Sequence, residues 1–366
     1  MAFLFKKKSF RFPVSSQVGS SFNNIIKISS DKSIGKGYKT KFFLTKVVSR
    51  ILDIPRVFEE RHYNRKIESL QIENPPVFII GFWRSGTTVL HNLLCQNPEF
   101  GYVTTFQSVF PNHCFMNQWW IRNIAQFLLP EKRPGGDMKF DFKLPQEEEI
   151  ALGNMQHISF YNFFYYPNEL DSSIEKSLYF KNISKEEFEQ WKQNYLRLVK
   201  IALINTNGKT FVAKNPPNTF RVRLLLEMFP EAKFIYIHRN TYQTIFSFLK
   251  FINSVHEGIK YQDYNLKDHN IKLIGLYKKM LEQYQADKHL IPEENLIDIK
   301  FEDFEQNMLS EIDRVFKTLD LPGYEKAMPV IKEYYNEIQD YKRKRHKLPD
   351  DFISQVDDIL GDLVEE

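Results

Sequence analysis

The segment from Pro75 to His91 constrains the fold more than any other part of the chain. Val77-Phe78-Ile79-Ile80 is a short, wholly apolar run that reads as a buried strand. Gly81-Phe82-Trp83-Arg84-Ser85-Gly86 follows as a loop, and Thr87 to Leu94 reads as the opening turns of a helix. A strand feeding a glycine-bearing loop and a helix N-terminus gathers backbone N–H groups and the positive end of the helix dipole at one point, which makes an anion cradle. The spacing is close to the phosphate loop G-x-x-x-x-G-K-[ST]. One position departs from it: Thr87 stands where that loop has lysine, and the positive charge sits inside the loop on Arg84.

Similar apolar runs recur at Thr210–Ala213, Lys233–His238 and Leu296–Ile299, each followed by a helical pattern. Short apolar strands alternating with helices predict an α/β fold with a parallel sheet covered on both faces. Ligands bind such sheets at the carboxyl edge, where strands turn into helices. Ser184-Lys185-Glu186-Glu187 is a capping-box pattern that opens a helix ending near Asn207-Gly208. Residues 100–170 are rich in Trp, Phe, Tyr, Asn and Pro without a clean period. They read as an irregular helical insertion rather than sheet, extending to about residue 208. Residues 1–37, rich in Ser, Lys and Gly, are expected to form a flexible basic arm, and 38–74 a helical segment broken or kinked at Pro55. The remaining unit is 75–366.

Charge and composition bound the function. Residues 1–70 carry 15 Lys/Arg against 5 Asp/Glu, so the rest of the chain is net −6 although the whole is +4. The basic helical segment either packs with a solvated basic face or lies on an anionic membrane surface. With 33 Phe and 18 Tyr the chain has either a Phe-rich core or a pocket for an apolar or ring-bearing substrate. Cys95 and Cys114 make no disulfide framework, so a reducing compartment is expected. No apolar run reaches the roughly 18 residues a membrane span needs. At the start, Lys6-Lys7-Lys8 follows a very short apolar stretch, the reverse of a secretory leader, so a cytoplasmic protein is expected, with contact at the inner face of a membrane as a second reading.

Several groups are candidates for chemistry. Arg84, Ser85, Gly86, Thr87 and Thr88 suit a phosphate or phosphosulfate. Arg239 ends a strand and Ser247 lies two turns into the next helix, so the pair is suited to a second phosphate. Glu147, Glu148 and Glu149 are either the source of a general base or a solvated helix start. His91 and His157 are further candidate bases. No Cys/His spacing fits a metal site and no Gly-x-Ser-x-Gly elbow is present. The basic run Lys342–Lys347 is a solvated face, a nucleic-acid patch or a flap over a polyanionic cofactor, and no nucleic-acid module surrounds it.

Taken together, residues 75 to 347 resemble the PAPS-dependent sulfotransferases, where PAPS is 3′-phosphoadenosine 5′-phosphosulfate. Phe78 to Thr88 is similar to the family's 5′-phosphosulfate loop, with Trp83 where proline often stands. Lys214-Asn215-Pro216-Pro217-Asn218-Thr219 and Ala232 to Asn240 resemble the 3′-phosphate region, with Ser247 eight residues after Arg239. Gln146-Glu147-Glu148-Glu149 resembles the Gln-Glu-Asp-Glu segment of the broad bacterial-type branch, and Ile299 to Phe304 a Tyr-Glu-Asp-Leu segment. The resemblance implies a three-layer P-loop-like fold and metal-free transfer of a sulfuryl group from PAPS to a hydroxyl or amine. It implies that Arg84 and the loop bind the phosphosulfate, Thr87 and Thr88 the 5′-phosphate, and Arg239 and Ser247 the 3′-phosphate. Arg343 and Lys344 fall in the segment that closes over the cofactor. Lys214 becomes a second cation near the sulfate, and Glu147 or Glu149 the base, with His91 behind them. The aromatic insertion favours a small-molecule or lipid-like hydroxyl acceptor over an acidic glycan. Two alternatives stand beside this reading: a nucleotide kinase or NTPase with a degenerate loop, and a non-catalytic membrane-associated binding protein.

Overall fold

The computed structural model describes residues 14–128, 141–339 and 347–364. Its centre is one parallel sheet of five strands: β1 (Val77–Ile80), β2 (Phe100–Gly101), β3 (Thr210–Lys214), β4 (Lys233–His238) and β5 (Leu296–Lys300). Their order across the sheet is β2-β3-β1-β4-β5, which puts β1 at the centre between β3 and β4. Alternate side chains of β1 enter two separate cores. Phe78 and Ile80 join Ala213, Phe234 and Tyr236 on one face, while Val77 and Ile79 join Val212, Ile235 and Ile237 on the other. A strand buried on both faces has no polar side to present, which is why these segments read as continuous apolar runs.

Helices fill both outer layers. α1 (Phe22–Ser29) and α2 (Lys39–Ser69) precede the sheet, and α3 (Thr87–Leu94) follows β1. The insertion between β2 and β3 holds α4 (Thr105–Val109), α5 (Gln118–Leu128), α6 (Glu148–Met155), α7 (Asn162–Tyr165), α8 (Leu170–Ser177) and α9 (Lys185–Thr206). α10 (Val222–Met228) leads to β4, and α11 (Thr241–Ile259) and α12 (Leu266–Asp287) lead to β5. α13 (Phe301–Gln306), α14 (Met308–Thr318), α15 (Tyr324–Ile338) and α16 (Asp350–Leu360) complete the chain. The three-layer α/β architecture is the one expected. α9 starts at the Ser184–Glu187 capping box and stops at Asn207, which takes a left-handed conformation.

Three local expectations need correction. Residues 14–37 are folded against the domain rather than forming a loose arm. The serines that gave this stretch its low-complexity look are helix caps: Ser15 Oγ accepts from Gln17 N–H and Ser21 Oγ from Asn24 N–H. Ile25 and Ile28 of α1 are buried, and Asn24 Nδ2 donates to the Gly153 carbonyl at 3.0 Å. Second, of the break or kink expected at Pro55, no break occurs: α2 is one continuous helix through it. It is clamped there from outside: the buried Glu59 accepts from the N–H groups of Phe115 and Asn117 at 2.9 Å each, and Asn117 Nδ2 donates to the Pro55 carbonyl at 3.1 Å. Third, the insertion does contribute to the sheet. Phe100 and Gly101 pair with Thr210 and Phe211, a two-residue strand too short to show a period.

Candidate active site

The loop after β1 is held open by strained backbone. Gly81 has φ +132°, and a Cβ there would lie 2.2 Å from the Ile237 carbonyl oxygen of β4. Gly86 has φ +100°, and its Cβ would lie 2.3 Å from the Phe301 ring at the start of α13. Only glycine meets both demands, a positive φ and no side-chain volume. Arg84 also takes a positive φ, +72°, which is uncommon for a residue with a side chain and marks a site where conformation serves position. Inside the loop, Gly81 N–H donates to Thr219 Oγ1 at 2.8 Å and Ser85 Oγ donates to the Phe82 carbonyl at 2.7 Å. Ser85 and Thr87 are therefore enclosed, whereas Arg84 is exposed. No side chain caps the N-terminus of α3, so the donors of its first turn and its dipole are left for an anion.

Neighbouring strands deliver the other groups to the same edge. Lys214, last in β3, pairs in register with Ile79, two residues before Gly81. Arg239 directly follows β4, with its guanidinium 4.8 Å from the centre of the Phe301 ring. Phe301 thus packs against both the loop glycine and the arginine. Ser247 lies on α11, which Asn240 caps by accepting from Gln243 N–H at 3.0 Å. Arg84 Nε donates to Ser247 Oγ at 3.0 Å, so the loop arginine and the helix serine are in direct contact.

The three consecutive glutamates fall into three environments. Glu149 is fully buried against Arg221, with Nη1 at 2.6 Å from Oε2 and Nη2 at 3.2 Å from Oε1. It also accepts from Phe160 N–H at 2.7 Å, Ser159 Oγ at 3.1 Å and Asn215 Nδ2 at 3.2 Å. Burial alone would raise its carboxyl, but the Arg221 charge and these donors hold it below the usual glutamate range. Glu148 is also buried. Its Oε1 accepts from Asn218 Nδ2 at 2.7 Å and Tyr195 OH at 3.0 Å, and burial pushes it up to about 7. Glu147 differs from both: its side chain is 15% exposed, it pairs with Lys214 Nζ through Oε1, and its Oε2 accepts from the Tyr161 hydroxyl. Trp83 Nε1 donates to the same hydroxyl at 2.8 Å. Burial first, and then the Glu147 charge, push the Tyr161 phenol far up, so it stays a proton donor. The result is a chain from the phosphate-loop residue Trp83 through Tyr161 to Glu147 and Lys214.

His91 is buried on α3, its ring 6.4 Å from that of Tyr102. His157 meets Glu187 at 3.1 Å. Arg343 and Lys344 lie outside the described residues. Tyr161 and Arg221 were not singled out from sequence. Tyr161 stands in the run Phe160-Tyr161-Asn162-Phe163-Phe164-Tyr165-Tyr166, where nothing distinguishes one ring from the next. Arg221 stands two residues from the exposed Arg223, and only its burial against Glu149 sets it apart. A cavity of about 750 Å³ opens near the end of β2, lined among others by Tyr102, Phe115, Trp119, Arg122 and Phe142.

The profile of the sulfotransferase family matches residues 75–326, from the strand before the loop to the start of α15. The chain belongs to the sulfotransferase family. This sulfotransferase is thus an enzyme that transfers a sulfuryl group, and its family implies a sulfonate donor. It is 26% identical over 303 residues to proteins of Mycobacterium tuberculosis and Mycobacterium bovis named omega-hydroxy-beta-dihydromenaquinone-9 sulfotransferase Stf3, covering 83% of this chain and 77% of theirs. Its fold is similar to the crystal structures of sulfotransferase STF1 from M. tuberculosis (TM-score 0.67, 14% identity, 95% of this chain and 93% of that one) and STF9 from Mycobacterium avium (0.66, 13%, 97% of each). Among the described residues, no helix of this sulfotransferase is long and apolar enough to cross a membrane.

Proposed function

We propose that this sulfotransferase uses PAPS as donor and a hydroxyl of a lipid-like molecule as acceptor, with Glu147 as the general base. The observation that carries the reading is the Glu147–Lys214 pair, set beside the loop by the β1–β3 register and steadied by Tyr161. Of the three glutamates it alone is partly open to solvent, whereas Glu148 is buried and Glu149 is locked in a fully buried pair with Arg221.

The donor set fits the nucleotide. Arg84, the uncapped start of α3 and the hydroxyls of Thr87 and Thr88 suit the phosphosulfate end. Arg239 and Ser247 suit the 3′-phosphate: Ser247 accepts from Arg84 and still has its own O–H to donate to a phosphate oxygen. PAPS supplies the sulfuryl group; the protein's part is positioning and charge. Glu147 takes the acceptor's proton at a carboxylate oxygen. Once protonated it no longer neutralises Lys214, whose ammonium is then available to anionic oxygens. Tyr161, unable to ionise, keeps the carboxylate oriented throughout. A lipid-like acceptor is supported by the Stf3 relatives, whose name records a hydroxylated menaquinone derivative.

The test is turnover of purified protein with labelled PAPS and a hydroxylated polyprenyl quinone, in the presence of a chelator and, separately, with ATP and magnesium in place of PAPS. Label transfer from PAPS, and none from ATP, is expected. Arg84→Ala is expected to lose about 100- to 1000-fold in rate, the usual consequence of removing one charge-stabilising donor. Transfer from ATP, or full activity of Arg84→Ala, overturns the reading.

A further inference from the structure

α2 carries an exposed apolar stripe that the transfer chemistry does not use. Phe43, Val47, Ile51, Ile54 and Phe58 are all exposed, in the range 38–65%. At 100° per residue they fall within an arc of about 80° and run for about 22 Å along the helix. A side chain of this kind gains when it leaves water, and five in a row far exceed the scattered apolar groups of an ordinary surface. Beside the helix, on its Glu59 side, Phe115 and Asn117 bind that carboxylate, and Met116 between them and Trp119 just after are 53% and 76% exposed.

The charges around the stripe choose the partner. α2 holds eight Lys/Arg and four Asp/Glu. Asp53, Glu59 and Glu60 sit about 120° or more round the helix from the stripe's centre. Asp53 and Glu60 are engaged by Arg56 at 3.0 and 2.8 Å, and Glu59 is buried. Glu68 is held by Asn64 nearly three turns past Phe58. Basic residues border the apolar arc instead. Arg50, its side chain 70% exposed and only 3.8 Å from Asp53, lies on one rim. Arg61 and Arg65 are exposed and continue the stripe's own line, and Lys39 is exposed at its other end. A second copy of the chain docked on this face, in either direction, would set basic ends against basic ends. An anionic surface complements them.

We infer that α2 is a docking surface for an anionic lipid bilayer, its apolar stripe entering the headgroup boundary and Lys39, Arg50, Arg61 and Arg65 meeting lipid phosphates. The helix lies in the plane of the interface rather than across it. This surface is independent of the donor and base assignments above.

The experiment is flotation of the full chain with vesicles of phosphatidylglycerol and phosphatidylcholine, and with phosphatidylcholine alone. Binding to the anionic vesicles is expected to be tighter by roughly tenfold or more and to weaken with salt, since each basic residue near an anionic surface contributes about fivefold. The triple variant Ile51→Ser, Ile54→Ser, Phe58→Ser, with unchanged helix content, is expected to stay unbound. Arg50→Gln, Arg61→Gln, Arg65→Gln leaves the apolar stripe itself intact and is expected to lose the anionic preference. Equal binding of both triple variants and the parent overturns the inference. So does a concentration-dependent dimer in sedimentation that the serine triple abolishes, because that result assigns the stripe to a second copy.

Discussion

Replacing Glu149 by glutamine removes the carboxylate that Arg221 meets in the interior, where both side chains have no exposed surface. The substitution keeps one oxygen to accept from Phe160 N–H, now at 2.7 Å, and from Ser159. It turns the second oxygen into an NH2 group, which then faces the Arg221 Nη1 and Asn215 Nδ2 donors that the carboxylate had accepted. Donor against donor, with the guanidinium charge left uncompensated, costs about 3–5 kcal/mol when a buried pair is broken from one side. That is a large part of the roughly 5–15 kcal/mol that holds a domain folded. The urea midpoint of Glu149→Gln is therefore expected to fall well below that of the parent, while turnover per folded molecule at low temperature changes little. Removing both partners, as Glu149→Met with Arg221→Met, is expected to recover much of the loss because no charge is then stranded. Acid should mimic the single variant. The folded Glu149 carboxyl lies below its ordinary value, so its contribution is complete above that ordinary value and is lost as pH falls through the folded one. An unchanged urea midpoint combined with a hundredfold loss of turnover in Glu149→Gln would refute the reasoning, since the residue would then be the base and not the anchor.

The neighbouring glutamates give opposite expectations. Glu147→Gln should lose about 100-fold or more in kcat, the usual worth of a general base, with its urea midpoint kept, as measured in parallel with Glu149→Gln. Glu148 has its folded value raised to about 7 by burial, so the native state holds its proton where the unfolded chain releases it. Stability should accordingly decline by up to about 3 kcal/mol as pH rises from the ordinary glutamate value through 7, and urea titrations of Glu148→Gln should lack that decline. Gly86→Ala forces a side chain into the Phe301 ring at φ +100°; calorimetric titration with the desulfated nucleotide should show binding weakened by about 5- to 150-fold, as strain of about 1–3 kcal/mol at the loop predicts. Ser247→Ala removes the hydroxyl that Arg84 contacts, and should raise KM for PAPS while narrowing the preference for PAPS over its desphospho analogue.

Local pattern was sufficient for much of the scaffold, and the reason is specific to each element. β1 and β4 are buried on both faces, so their apolar runs end at or next to the strand ends, at Ile80 and Ile237. Gly81 and Gly86 stand where the backbone takes positive φ, so their spacing marked the loop before any contact was known. Ser184 and Glu187 cap each other three residues apart, which makes the start of α9 a local event. The same logic failed at residues 14–37, where capping serines and linker serines have the same composition, and at β2, whose two residues carry no period. Glu147, Glu148 and Glu149 could not be separated by any property of the sequence. They are identical side chains in succession, equally suited to a helix start. What divides them is that Glu147 stands outside α6 in extended backbone while the other two lie within its first turn, and that their partners come from far along the chain: Lys214 and Tyr161, Tyr195 and Asn218, Arg221. The loop's shape was written in two glycines five residues apart, but the chemistry assigned to each carboxylate depends on charge and burial supplied by distant segments, and only the folded chain brings those together.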